Sequence, residues 1–160
     1  MNLKLASLGI AALNLSLAVP FATAQTATVD HFTQAQLAEK AQALSGAAQS
    51  TGAASTKLSD YPNHYTMIAL RNKSGGAEIH EAFADFFFVL HGHATLVTGG
   101  SIVDPKSAGT GEIRGTSVQG GSQQAMGPGD VAHIPAGVPH QLLMADGTAF
   151  SYFVIKVREK

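Results

Sequence analysis

The fold of this chain is decided by the stretch GDVAHIPAGVPH, which occupies residues 129–140. Its VAHI segment is typical of a short, half-buried strand. Pro135 ends that strand because proline fixes φ and has no N–H to donate. Gly137 then takes a backbone conformation that a Cβ would resist. The stretch therefore predicts a strand, a rigid turn and a second strand whose first side chain, His140, has a defined direction.

A histidine that follows so constrained a turn suits a metal ligand, which must be placed within a few tenths of an ångström. The other interpretation is a plain β-turn with an exposed histidine, since turns rich in proline and glycine are common. On residues 129–140 alone, both interpretations of His140 stay open.

Together with the upstream stretch EIHEAFADFFFVLHG, residues 78–92, the chain resembles the cupin family. The second cupin motif, G-x5-P-x-G-x2-H, is matched at Gly129, Pro135, Gly137 and His140. The likeness extends over residues 65–157. It implies an all-β barrel of the cupin double-stranded β-helix (jelly-roll) type, preceded by a short N-terminal helix.

The first cupin motif is an H-x-H pair followed by a glutamate, and the chain matches it in part. The alignment puts His80 at the second histidine, Asp85 at the glutamate and Glu78 at the first histidine. The resemblance therefore implies that Glu78, His80, Asp85 and His140 meet inside the barrel and hold a metal ion. Because aspartate is one methylene shorter than glutamate, Asp85 binds the ion either directly, after adjustment, or through water.

Two imidazoles and two carboxylates suit a divalent transition metal ion, namely Mn, Fe, Co, Ni or Zn. The alternative is a barrel with polar residues in its mouth and no metal. Strand alternation adds three candidate walls of a small-molecule pocket, which are Phe87, Leu142 and Met144.

Further polar side chains have two interpretations each. Glu78 and His133 are candidate catalytic groups that could shuttle a proton, and His133 points either into the cavity or to the outer face of its strand. His91 and His93 superficially form an H-x-H pair, but their position predicts an exposed hairpin tip. For Arg114, an exposed salt bridge is favoured over a contact with an anionic substrate.

Residues 1–24 have the features of a secretory signal peptide. Lys4 supplies a positive start, an uncharged apolar run follows, and an A-x-A cleavage site ends at Ala24. The alternative is a membrane anchor, but the run is shorter than the ~20 residues that cross a bilayer. We therefore expect cleavage after Ala24, a periplasmic or secreted protein, and no stable membrane span afterwards.

The composition argues against several classes of function. The chain has a formal net charge of −1, and loss of Lys4 with the signal peptide makes it −2. That balance, without a basic cluster, argues against nucleic acid as a partner. The chain has no cysteine, so thiol chemistry and disulfides are excluded and any metal ligands are nitrogen or oxygen donors.

The mature chain is predicted to divide into residues 25–60, a helix with a flexible connector, and residues 61–160, the barrel. A capping-box pattern at Thr33 predicts a helix over 33–44, and small residues over 45–59 predict the connector. Residues 105–111 are predicted to be a loop. Strands are predicted at 64–71, 77–82, 85–91, 93–98, 112–118, 122–126, 130–134, 138–144 and 148–157.

Three functions fit these observations, because one barrel can host many chemistries. The first is an exported metal-dependent enzyme of oxygenase or isomerase type that acts on a small organic molecule. The second is a non-catalytic module of the cell envelope that binds a metal or a small ligand, and the third is a vestigial structural barrel. The resemblance also implies a homodimer, which would cover unpaired strand edges and outward-facing phenylalanines.

Overall fold

The computed structural model describes residues 29–159. The predicted signal peptide and its cleavage site lie outside these residues. Of the helices in the described part of the chain, none is long and apolar enough to cross a membrane.

The described chain begins with two short helices, α1 (Gln34–Gln42) and α2 (Ser45–Thr51). α1 begins with the predicted capping box: the backbone N–H of Gln36 donates to the Thr33 hydroxyl, and that of Thr33 donates to the Gln36 side chain. This reciprocal pair satisfies two N–H groups that a helix start otherwise leaves free. The predicted N-terminal helix is therefore confirmed.

Thirteen strands follow within residues 29–159. They are β1 (Ala53–Asp60), β2 (His64–Arg71), β3 (Ala77–His80), β4 (Phe83–His91), β5 (Ala94–Thr98), β6 (Ser101–Val103), β7 (Lys106–Gly109), β8 (Glu112–Gly115), β9 (Ser117–Gln119), β10 (Ser122–Met126), β11 (Val131–Ile134), β12 (His140–Leu143) and β13 (Phe150–Arg158). The predicted strands correspond to β2–β5 and β8–β13, with the predicted strand 112–118 divided into β8 and β9.

The strands form two main antiparallel sheets. One has five strands in the order β1-β2-β13-β4-β11, and the other has six in the order β10-β5-β12-β3-β8-β7. β6 and β9 pair separately. Strands far apart in sequence are neighbours, such as β2 and β13, and this is the crossed connectivity of a jelly roll.

The core lies between the two main sheets. Phe87 and Phe150 come from the five-stranded sheet, Leu96 and Leu142 come from the six-stranded sheet, and all four are at most 4% exposed. α1 contacts the five-stranded sheet at β2, β4 and β13. The predicted all-β jelly roll with a short N-terminal helix is confirmed.

Two predictions about irregular regions are wrong. Residues 45–59, predicted as a flexible connector, form α2 and most of β1, which pairs with β2. Residues 105–111 contain β7, which pairs with β8. β1 and β7 are edge strands, so each forms backbone hydrogen bonds with one neighbouring strand only, and few of its side chains pack against other residues. Their small or polar side chains therefore lack the apolar alternation that marks a strand in sequence.

Gly92, at the turn between β4 and β5, sits where the fold leaves no room for a side chain. Its φ is +80°, and a Cβ there would lie 2.0 Å from the carbonyl oxygen of Ala149. Gly99 has a similar φ of +77°, but apart from its two chain neighbours no atom of residues 29–159 lies within 4 Å of the position of its Cβ. An alanine at Gly99 would therefore bear the cost of the left-handed backbone alone, whereas an alanine at Gly92 would bear that cost and a steric clash.

We expect Gly92→Ala to lower the free energy of unfolding by at least about 2 kcal/mol more than Gly99→Ala. Both variants bear the left-handed backbone cost of roughly 1–2 kcal/mol, and only Gly92→Ala adds a clash with the backbone. Urea unfolding followed by circular dichroism measures the difference. Equal losses would contradict the close approach of Ala149 to this turn.

Candidate metal centre

The predicted metal ligands come from three strands. β3 carries Glu78 and His80, β4 carries Asp85, and β12 begins at His140, which pairs with Glu78 across the sheet. Because alternate residues of a strand share a face, His80 lies on the same side of β3 as Glu78. His80, Asp85 and His140 are 5%, 2% and 2% exposed, so all three lie in the interior.

Glu78, His80 and His140 form a compact group, which we call the triad. Each offers one potential ligand atom, and these atoms lie within 4.8 Å of one another. The Nε2 atom of His80 is 3.7 Å from Glu78 Oε2, and that of His140 is 3.9 Å from Glu78 Oε1. Two atoms that bind one zinc-sized ion at 2.0–2.2 Å are at most about 4.4 Å apart. These two pairs are therefore close enough to share an ion.

The outer nitrogen of each imidazole is held by a hydrogen bond. His80 Nδ1 lies 2.7 Å and 2.8 Å from the two carboxylate oxygens of Glu112. His140 Nδ1 lies 3.0 Å from the carbonyl oxygen of Val138. Since a carboxylate and a carbonyl accept, Nδ1 is the donor in both rings, and Nε2 is the nitrogen that bears the lone pair in the neutral form of each.

His140 Nε2 is a buried nitrogen without a hydrogen-bond partner among the described residues. Burial lowers the pKa of His140 to about 4, so the ring is neutral at physiological pH. A buried acceptor without a partner costs free energy, and such groups call for an explanation. A metal ion at the triad would supply that partner, and the residues present therefore fit a divalent metal.

Asp85 borders the triad but is also held by Lys156. Its Oδ2 atom lies 3.5 Å from His80 Nε2 and 3.7 Å from His140 Nε2. Its Oδ1 atom accepts a hydrogen bond of 2.6 Å from Lys156 Nζ. Lys156 is 8% exposed, and burial lowers its pKa while the charge of Asp85 opposes that shift. The structure thus brings all four predicted ligands around one point, with Asp85 Oδ2 facing both Nε2 atoms and Asp85 Oδ1 held by a buried ammonium.

A cavity of about 260 Å³ adjoins the triad. Glu78, His80 and Asp85 form part of its polar wall, and Phe87 forms part of its apolar wall. Leu142 and Met144 do not line this cavity, which corrects their predicted role. Leu142 is 3% exposed in the core between the sheets, and Met144 follows the end of β12 and lines a separate, more open groove.

Two arginines reach the triad from the cavity wall. Arg114 forms a salt bridge with Glu78 and lies 3.3 Å from Glu112, while half of its side chain is exposed. Arg71 lies 3.6 Å from Glu78 Oε1, and its Nε donates a 3.1 Å hydrogen bond to the Tyr152 hydroxyl. Burial and the nearby Arg71 lower the pKa of Arg114. Arg114 is therefore both a salt-bridged arginine and a wall of the cavity.

The remaining histidines lie away from the cavity. His133 is exposed and stacks on Phe86 with ring centroids 4.3 Å apart, so it lies on the outer face of β11 and not beside the triad. This corrects its candidacy as a catalytic base. His91 and His93 are exposed around the turn at Gly92, as predicted for a hairpin tip.

Four side chains of this site were not predicted from the sequence, namely Arg71, Glu112, Tyr152 and Lys156. Lys156 had a visible signal, because it shares a face of β13 with Tyr152 and Val154 in an otherwise apolar segment. Glu112 had none in sequence, since its link to His80 depends on the pairing of β3 with β8.

Comparison with known proteins relates the chain to solved structures only. No protein-family model and no curated protein matches it. The cupin domain of Schizosaccharomyces pombe Cnp3 is 9% identical with a TM-score of 0.51, covering 67% of this chain and 61% of that chain. The DMSP lyase DddQ from Ruegeria pomeroyi DSS-3 is 16% identical with a TM-score of 0.49, covering 67% of this chain and 47% of that chain. KdgF from Halomonas sp. is 12% identical with a TM-score of 0.49, covering 69% of this chain and 83% of that chain.

The chain thus spans about half the length of DddQ and about three fifths of the Cnp3 cupin domain structure. Identities this low relate the fold and carry no site from one protein to another. The match to the Cnp3 domain agrees with the crossed antiparallel sheets described above. In its fold, the protein is therefore similar to the cupin domain of Cnp3.

Proposed function

We propose that the protein binds one divalent transition metal ion through Glu78, His80 and His140 and takes a small organic ligand in the adjoining cavity. The observation that carries the proposal is the buried Nε2 of His140, which faces Glu78 without a hydrogen-bond partner among residues 29–159. A neutral imidazole in that position is ready to coordinate, because no proton has to leave it first.

The donor set supports the same proposal. Two imidazole nitrogens and one carboxylate oxygen suit Mn, Fe, Co, Ni or Zn. Three protein ligands leave at least one coordination position open, as in metal sites that bind water or substrate. When bound, such an ion supplies Lewis-acid polarisation of a ligand oxygen. The carboxylate of Glu112 fixes the orientation of His80 and raises its basicity, the usual role of an outer partner of a metal-bound histidine.

The second candidate function is catalysis of the oxygenase or isomerase type in the same cavity. It is favoured by the hydroxyl of Tyr152 and the ammonium of Lys156, which both line the cavity and can hold or give a proton at a bound molecule. Glu78 remains a candidate for the same task, although two arginines hold it. Turnover on a panel of small organic substrates separates catalysis from binding alone, and a chain without metal would favour the vestigial barrel.

We expect His80→Ala and His140→Ala to abolish stoichiometric metal binding, because each removes one of the two nitrogen donors. The measurement is metal content by mass spectrometry after equilibration with Zn²⁺, together with the thermal shift on adding Zn²⁺. A metal at 100 times its Kd stabilises the folded wild type by about 2.7 kcal/mol, and the variants should lose this shift.

His91→Ala and His93→Ala are the matched controls, since these exposed histidines lie at the hairpin tip. Both should keep one metal ion per chain. Loss of metal in these controls with retention in His80→Ala and His140→Ala would contradict the proposed centre and the alignment behind it.

We expect Asp85 to lie beside the metal ion without being a required ligand, and Glu112 to orient His80 for metal binding. The double variant Asp85→Asn/Lys156→Met, which removes both charges of the buried pair together, should keep one Zn²⁺ per chain. Glu112→Gln should weaken Zn²⁺ binding by about 10–100-fold, as for other outer partners of metal-bound histidines. Competition with a chelator measures both affinities. Loss of stoichiometric metal in the double variant would instead make Asp85 a ligand.

We also propose that the chain is exported and pairs as a homodimer. Export is supported by the A-x-A site after an uncharged apolar run, and pairing by β11, an edge strand with Val131 57% exposed. Native mass spectrometry of periplasmic or secreted material should give two copies of a chain that starts at Gln25. A cytosolic chain that retains Met1 would end the export proposal, and a monomer at all concentrations would end the dimer.

A further inference from the structure

We propose that the cavity beside the triad is a binding site for a small organic dianion, a compound of dicarboxylate type, held by Arg71 and Arg114. This inference rests on the proposed function, because the ligand shares the cavity with the metal centre and its two negative charges offset those of a divalent ion. The charges, the wall and the volume of the cavity support it.

The two arginines already hold a carboxylate. Arg71 approaches Glu78 at Oε1 from 3.6 Å, and Arg114 forms its salt bridge at Oε2 of the same side chain. Arg71 is fixed in place, because its side chain is only 16% exposed and its Nε donates to the Tyr152 hydroxyl. Guanidinium groups present planar sets of donors that match carboxylates, so this pair is built to recognise one.

The charges around the triad balance only without a metal. The cationic side chains are Arg71, Arg114 and Lys156, and they face the carboxylates of Glu78, Asp85 and Glu112. Three cationic and three anionic side chains carry no net charge together. A divalent ion then leaves two positive charges in a half-enclosed site, where uncompensated charge is expensive. A ligand with two negative charges restores the balance.

The wall and volume of the cavity favour an organic ligand over an inorganic one. Phe87, Met67, Ala69 and Val154 line it with carbon atoms beside the charged groups. Its volume of about 260 Å³ holds the equivalent of roughly nine water molecules at about 30 Å³ each. A carbon chain of a few atoms with an acid group at each end matches both the apolar wall and this volume.

Glu78 couples the anion site to the metal site. The same carboxylate is a member of the triad and the present partner of both arginines. A Glu78 that shares its charge with a cation holds the guanidinium groups less strongly, and they are then free to bind another carboxylate. The two ligands should therefore strengthen each other, and this coupling is reciprocal.

The test is calorimetric titration of the full mature chain, loaded with Zn²⁺ or metal-free, with succinate. Succinamide is the neutral isostere and inorganic phosphate is the control for a non-organic anion. Succinate should bind the Zn²⁺ form at least about fivefold more tightly than the metal-free form, and it should bind more tightly than phosphate. Succinamide should bind at least about tenfold more weakly than succinate.

Arg71→Gln and Arg114→Gln should each weaken succinate binding by about tenfold or more, since each removes a charge-assisted hydrogen bond. Arg158→Gln is the matched control, because Arg158 is exposed and lies over the Phe83 ring outside the cavity. Metal-free Glu78→Gln should bind succinate more tightly than the metal-free wild type, because the substitution frees both arginines from their present partner.

The outcomes distinguish this inference from the proposed metal centre. Normal Zn²⁺ content with succinate binding that is absent, or unchanged in both arginine variants, overturns the anion site and leaves the metal centre intact. Absent Zn²⁺ binding with arginine-dependent succinate binding removes the metal centre and supports the anion site. Equal binding of succinate and phosphate overturns the organic class of ligand.

Discussion

The site depends on the register of three strands in the six-stranded sheet. β12 pairs with β3 so that His140 lies opposite Glu78, and β3 pairs with β8 so that His80 lies opposite Glu112. A slip of one residue would turn every side chain of a strand to the other face. The register therefore assembles the triad and places the carboxylate that orients His80. Gly137, whose backbone N–H donates to the His80 carbonyl at 2.8 Å, ties the turn before His140 to the end of β3.

Such a concentration of charge is tolerated inside a small barrel because nearly every group has a partner. Asp85 is 2% exposed and Lys156 is 8% exposed, and either one alone would be a costly buried charge. Paired at 2.6 Å, they form a stable part of the wall. The exception is His140 Nε2, which burial keeps neutral and which has no partner among the described residues. Among the polar atoms of this site, the buried acceptor without a hydrogen-bond partner is thus the one that faces Glu78.

The sequence predicted the features that local motifs and residue alternation encode. It missed the side-chain contacts that form only when distant strands pair. The cupin-like motif around Pro135 and Gly137 implied the jelly roll, and the alternation along β4 placed Phe87 on the inner face, where it is 3% exposed. Glu112 and Arg71 reach the triad only after the strands have paired, so no spacing in the sequence reveals them. The sequence likewise left the direction of the His133 side chain open, because that direction follows from the pairing of His133 with Phe86 on β4.

The segment that looked least informative in sequence forms part of the cavity. Ala53, Ala54 and Ser55 of β1 line it, in a region whose small side chains suggested a flexible connector. Small residues there keep the cavity open, because each added methyl group would reduce its volume, whereas the backbone pairing of β1 with β2 requires no particular side chain. Periodicity detects strands by the apolar area they bury. It is therefore a weak signal for a strand such as β1, whose small side chains line a cavity and bury little apolar area.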